Sequence, residues 1–246
     1  MIRLLIVLTF FYSSSLIFAQ AKLLYPIFTE RIDKERIDSK VVLDMLEKFE
    51  QEEINHFQPS TRNPECNANY AKANDDYLIN RPISDVWKAY TQTHPAQGWK
   101  LKSSRFILMN DPYYSRYVYS GDNISGQNFL YQIGQTFFLE LKLYIYPIEG
   151  INLGIKVQTI PVALMVSGIE DELECYKKFE ISYIRGNESS GKQVIEFYGQ
   201  GNKTEIKHTS YYNKSPRNEK HYEYFHKQLV DKFHAHFKQM IEGSYE

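Results

Sequence analysis

The chain has 246 residues, 43% of them hydrophobic, and a formal net charge of -1 in which Lys/Arg and Asp/Glu are interspersed. That length accommodates one sizeable domain with a full hydrophobic core. The near-neutral, unsegregated charge gives no electrostatic basis for binding nucleic acid or an anionic membrane surface. Aromatic residues make up 15% of the chain and include 20 tyrosines, flat apolar bodies whose hydroxyls need partners, which suits both wet cavities and exposed sheets.

The first residues read as a secretory signal peptide spanning residues 1–21. Arg3 supplies the positive end, Leu4 to Tyr12 the apolar run and Ala19-Gln20-Ala21 the cleavage site, so the mature chain is expected to begin at Lys22. An uncleaved anchor is the competing reading, but Ser13, Ser14 and Ser15 interrupt the run and the segment is short for a bilayer span. A periplasmic or secreted protein follows, with no integral membrane anchor after cleavage. In an oxidising compartment Cys66 and Cys175 have two outcomes: one disulfide closing a loop of about 110 residues, or two separate buried thiols. Their spacing gives no zinc or redox motif.

Residues 22–74 form a helical segment and linker. Val42, Met45, Leu46 and Phe49 make a narrow apolar stripe between Ser39 and Glu53, as on an accessory helix, and the polar stretch from His56 to Asn74 reads as a surface connection. The main domain is expected over residues 75–246. It opens with a short strand, Asp76 to Asn80, and then a helix carrying Val86, Trp87 and Tyr90, with Ser84 as its cap. Strands follow at Arg105 to Met109, Tyr114 to Ser120, Gln135 to Tyr146 and Ile151 to Thr159, then at Lys177 to Arg185, Lys192 to Gly199 and Lys203 to Asn213. Phe137, Leu139, Leu141, Leu143 and Ile145 alternate with Phe138, Glu140, Lys142 and Tyr144, the period of a half-buried antiparallel strand.

From Asn218 to Ile241 the period changes to that of a helix, with Tyr222, His226, Leu229, Phe233, His236 and Met240 on one face. Strands followed by one closing helix predict an α+β helix-grip, a curved antiparallel sheet of about six to seven strands around a long C-terminal helix. The order of elements, together with Ile79-Asn80-Arg81-Pro82-Ile83-Ser84-Asp85-Val86-Trp87, resembles the START-like superfamily of polyketide cyclases and dehydratases, pathogenesis-related plant proteins and lipid-transfer domains. The resemblance rests on the apolar-x-x-Pro end of the strand and the Val-Trp pair. It implies a cavity between sheet and helix used for lipids, sterols or polycyclic aromatics, in a family that holds both carriers and enzymes.

On the last strand, Thr204, Ile206, His208, Ser210 and Tyr212 alternate with Lys203, Glu205, Lys207, Thr209 and Tyr211. The lysine-rich face must be outside, so His208, Ser210 and Tyr212 point toward the helix that brings His226, Phe233 and His236. Trp87 is either a wall of the same cavity or a packing anchor. The histidines of the last helix lack the spacing of paired metal ligands, and Ser210 lacks the turn of an activated nucleophile, so no metal, cofactor or catalytic set is assigned. The leading expectation is an exported protein that binds a hydrophobic, lipid-like or aromatic small molecule, with these side chains as the polar contacts. The alternatives are a cyclase or dehydratase-type enzyme with His208 or His226 as general base, and an envelope protein with a filled core. The oligomeric state is left open.

Overall fold

The structure, a computed structural model, describes residues 31–243 apart from 55–56, 112–115, 124–127, 146–154, 188 and 216–221. The expected signal peptide lies outside the described residues. Eight antiparallel strands form one sheet: β1 (Tyr70–Ile79), β2 (Ser104–Asp111), β3 (Arg116–Tyr119), β4 (Thr136–Ile145), β5 (Ile155–Glu170), β6 (Tyr176–Tyr183), β7 (Gly191–Gln200) and β8 (Lys203–Asn213), in the order β1-β8-β7-β6-β5-β4-β2-β3. The count exceeds the expected six to seven because every segment that alternates in the sequence is paired. Two short helices, α2 (Ile83–Gln92) and α3 (Pro95–Gly98), carry the chain from the β1 edge toward β2 at the far side of the sheet. Helix α4 (Lys227–Glu242) closes one face, preceded by a π-helical turn at Tyr222–His226. This is the helix-grip arrangement expected from the element order.

Strand β1 begins at Tyr70, earlier than expected, because Tyr70 to Asn74 pair with Asn213 to Thr209 of β8. Strand β5 runs well past Thr159, through Pro161. A proline is tolerated there because β6 pairs with β5 only from Leu164 onward, and Ala163, two residues on, turns its N–H and C=O to the Asn187 side chain on that flank. Helix α2 starts at Ile83 with Pro82 before it, so Ser84 lies within the first turn rather than at the cap.

From β2 to β5 the sheet is buried on both faces, whereas the outer side of β1 and β8 is exposed or half-buried. Phe106, Met109, Phe137, Leu139, Val162, Phe179, Ile195, Phe197 and Ile206 face α4 and form the inner core with Tyr90, Phe233 and Phe237. On the outer face α1 (Lys40–Gln51) lays Val42, Met45, Leu46 and Phe49 against Ile107, Leu108, Phe138, Ala163 and Ile184. Phe138 is therefore fully buried under the N-terminal segment, and β4 is not the one-sided strand its alternation suggested. A register shift between Phe106 and Leu108 lets Ile107 and Leu108 both serve the outer core. Ser39 Oγ donates to Glu140 at 2.7 Å, and Arg105 joins Glu140 to Asp38, fixing α1 on the sheet. Tyr119 belongs to this face too: its hydroxyl accepts from Asp33 N at 2.7 Å. Cys66 and Cys175 are both exposed free thiols, so neither the bridge nor the buried pair describes them here.

Candidate functional site

The space between sheet and helix is not uniformly filled. At one end aromatic rings occupy it: Tyr90 stacks on Phe237 with ring centroids 4.2 Å apart, and Trp99 packs on Phe233 at 4.6 Å. Toward the first turn of α4 the packing opens into a cavity of about 40 Å³ lined by Leu139, Leu141, Val162, Ile181, Ile195 and Phe233, with Gln193, His208 and His226. This is room for about three water-sized groups. It adjoins a groove of about 450 Å³ walled by Tyr144, Tyr183, Tyr212, Tyr222, Ser189 and Ser190, among others. Leu141, Val162, Tyr183, His226 and Leu229 line both. Together they make a funnel with a tyrosine-rich mouth and a narrow apolar inner end, and the mouth alone falls in the roughly 300–1,000 Å³ range of small-molecule sites. The described residues of the mouth include Lys142 and Lys232 and no carboxylate.

Strands β8 and β7 and the π-helical turn place polar groups at the inner end. Alternation along β8 buries Thr204, Ile206, His208 and Ser210 on the face toward α4, as expected. On neighbouring β7, Gln193 shares a face with Ile195 and Phe197, and this face meets β8 across the strands: Gln193 pairs with Ser210, Ile195 with His208. Gln193 Oε1 lies 2.9 Å from His208 Nε2 and 2.5 Å from Ser210 Oγ. His226 Nε2 lies 3.2 Å from the same oxygen and 3.3 Å from Ser210 Oγ. The chain continues into the core, from His208 Nδ1 to His234 Nε2 at 2.8 Å and from His234 Nδ1 to the Tyr90 hydroxyl at 2.8 Å. Tyr77 covers the outside of His234 with a stacked ring 4.1 Å away and donates its hydroxyl to Asp231.

These groups are neutral. Desolvation pushes His226 and His234 down to about 3, and holds His208 well below the usual imidazole range with help from the two other histidines. Burial also holds the Tyr90 phenol well above 10. An imidazole whose conjugate acid is so disfavoured is a poor proton acceptor near neutral pH, and both nitrogens of His208 are already engaged. Among the described residues no group of three or more His, Cys, Asp or Glu could hold a metal ion.

The structure brings together four of the expected site residues, His208, Ser210, His226 and Phe233, and sets Tyr212 at the mouth. Tyr212, Tyr222 and His226 form a continuous stack, with centroids 3.8 and 4.2 Å apart. His236 lies elsewhere: its Nε2 is 3.0 Å from the Gln97 carbonyl, on the flank of α4 facing α3. Trp87 is the packing anchor of the two readings, edge-on to Phe197 at 5.5 Å and outside both cavity linings. Gln193, His234, Tyr90 and Trp99 were missed. Gln193 carried a signal, being the polar member of an alternating face with Ile195 and Phe197.

No protein-family model matches the sequence, and a search of curated proteins found no match. Among solved structures the chain is similar to norcoclaurine synthase of Thalictrum flavum, with a TM-score of 0.46 and 10% identity over 72% of this chain and 97% of that one. It is also similar to ginseng major latex-like protein 151 of Panax ginseng, with a TM-score of 0.43 and 10% identity over 71% and 99%. At that distance the site is read from its own residues.

Proposed function

We propose that the protein is an exported binding protein that holds a hydrophobic or aromatic small molecule in the funnel between the sheet and α4. The observation that carries this reading is the funnel itself: an apolar inner end continuous with a mouth large enough for a drug-sized body, beside a core that is otherwise close-packed. The tyrosines of the mouth offer flat apolar faces with hydroxyls at their rims, and Lys142 and Lys232 favour a ligand whose outer end is polar or anionic. Carriage is favoured over catalysis because the buried histidines hold each other and Gln193, and none has the proton affinity of a general base at neutral pH. Export rests on the pattern of Arg3, the apolar run and Ala19-Gln20-Ala21.

Native mass spectrometry of the protein purified from its own host tests both halves. The expected result is a chain beginning at Lys22 that carries a stoichiometric apolar adduct released by organic solvent. A chain retaining residues 1–21 would overturn the cleaved, freely exported form. A ligand-free mass that also fails to take up any hydrophobic compound from a small panel would overturn binding.

A further inference from the structure

The orientation of one buried amide follows from counting protons along the polar chain, and with it the chemistry of the group that the funnel receives. Tyr90 is enclosed by Phe197, Phe233 and Phe237. Among the described residues, the sole hydrogen-bond partner of its hydroxyl is His234 Nδ1. A phenol with one partner in an apolar surround must donate to it, since otherwise its proton is buried unpaired. His234 Nδ1 is therefore an acceptor, and neutral His234 carries its proton on Nε2. That N–H donates to His208 Nδ1, so His208 carries its proton on Nε2 and donates to Gln193, which must present its oxygen. Ser210 donates to the same oxygen. Both lone pairs of Gln193 Oε1 are then filled, and the His226 Nε2–H is left to donate to Ser210 Oγ.

What remains open is a donor. Gln193 is 7% exposed, lines the inner cavity, and its Nε2 is buried without a hydrogen-bond partner. We infer that the inner end of the funnel selects its ligand by an acceptor-only oxygen at the leading end, the carbonyl of a ketone, aldehyde or quinone on an apolar body, which accepts from Gln193 Nε2. This rests on the reading of the funnel as a ligand site. An alcohol can also accept from Gln193 Nε2, but its own proton must then turn to His226 Nδ1 or to the second lone pair of Ser210 Oγ, a constraint that a carbonyl does not carry. A hydrocarbon leaves the amide N–H unpaired in an apolar cavity, the costly outcome for a buried donor.

The test uses three compounds with one skeleton, 2-acetylnaphthalene, 1-(naphthalen-2-yl)ethanol and 2-ethylnaphthalene, titrated calorimetrically into the full mature chain and its Gln193→Met variant. The ketone-to-hydrocarbon affinity ratio is expected to fall about tenfold in the variant, the worth of one buried hydrogen bond. The infrared carbonyl stretch of bound, ¹³C-labelled ketone is expected at lower wavenumber in the wild type than in alkane solution, a reading that needs no variant to fold. An unchanged ratio, or an alkane-like stretch in the wild type, overturns the acceptor-headed ligand while leaving binding intact. If none of the three compounds binds the wild type, the binding reading falls and this inference falls with it.

Discussion

His208 Nδ1 lies 2.8 Å from His234 Nε2, so the last strand and the last helix are joined in the core by two imidazoles with their ring planes nearly perpendicular, at 87°. Neither ring is a conventional core residue. The contact ties the wall of the cavity, through His208 and Gln193, to Tyr90 on α2, and it makes the neutral state of both histidines a condition of the packing.

Acid should therefore unfold the protein earlier than its carboxylates alone would. His226 and His234 titrate at about 3 and His94 at about 4 in the fold, against about 6.5 in an unfolded chain, and His208 is displaced the same way. Between those limits the unfolded state binds more protons. The stability that burial of neutral imidazoles allows is complete above about pH 6.5 and is lost as the pH falls toward the folded values. Each of these histidines contributes a slope of up to about 1.4 kcal/mol per pH unit below 6.5. Urea midpoints from pH 7.5 to 5 should be level at first and then fall steeply. A flat profile down to pH 5 would show that the imidazoles are already protonated or solvated in the fold.

The outer face should be separable from the site. Phe49 is fully buried between α1 and the sheet, packed edge-on against Phe57 at 6.1 Å, and touches neither compartment of the funnel. Phe49→Ala should cost about 3–5 kcal/mol by leaving a cavity, with ligand affinity unchanged within about twofold by the additivity of distant sites. Denaturant unfolding and the calorimetric titration read the two quantities independently, and a matching loss of affinity would mean that α1 controls the funnel.

The start of β7 should tolerate no side chain. Gly191 has φ +145°, and a Cβ there would sit 1.9 Å from the Tyr211 carbonyl oxygen of β8. Gly201, at φ +64° in the β7–β8 turn, has open space around it. Gly191→Ala is expected to lose more than about 3 kcal/mol, as strain and a displaced backbone combine, while Gly201→Ala loses roughly 1–2 kcal/mol for the left-handed conformation alone. Equal thermal shifts for the two variants would contradict the close approach of β7 and β8.

Period and alternation made much of this legible. The stripe of Val42, Met45, Leu46 and Phe49 is the buried face of α1, and His208 and Ser210 point inward because the lysines alternate with them. The last helix departs from its sequence period. The steps of four and three from Tyr222 to Met240 average the α-helical 3.6, but Tyr222–His226 is a π-helical turn, wider than an α turn, and it shifts the phase of every residue after it. By the end of α4 the buried positions are Phe237 and Ile241 rather than His236 and Met240, and His234 joins the face. Pro161 masked the second half of β5 because the rule against prolines in strands assumes a partner on both flanks. The roles of Gln193 and Tyr90 depend on which strand and which helix lie opposite, and no local pattern contains that information.

The proton order also makes Tyr90 a remote determinant of ligand preference. Tyr90 lines neither the cavity nor the mouth, yet its hydroxyl sets the direction of every hydrogen bond from His234 to Gln193. In Tyr90→Phe nothing fixes the proton of His234 on Nε2. With it on Nδ1, His234 Nε2 and then His208 Nε2 become acceptors in turn, and Gln193 turns its amide nitrogen toward His208 and its oxygen toward the cavity. A ligand hydroxyl then finds the amide oxygen as an acceptor at the position where the wild type presents a donor. The variant should lose about 1–3 kcal/mol of stability through the unpaired His234 nitrogen. Its preference for 2-acetylnaphthalene over 1-(naphthalen-2-yl)ethanol should shrink several-fold or reverse, although no atom contacting the ligand has been changed. A variant that is destabilised but keeps the wild-type preference would show that Ser210 and His226 hold the amide in place locally, and that the imidazole pair serves packing alone.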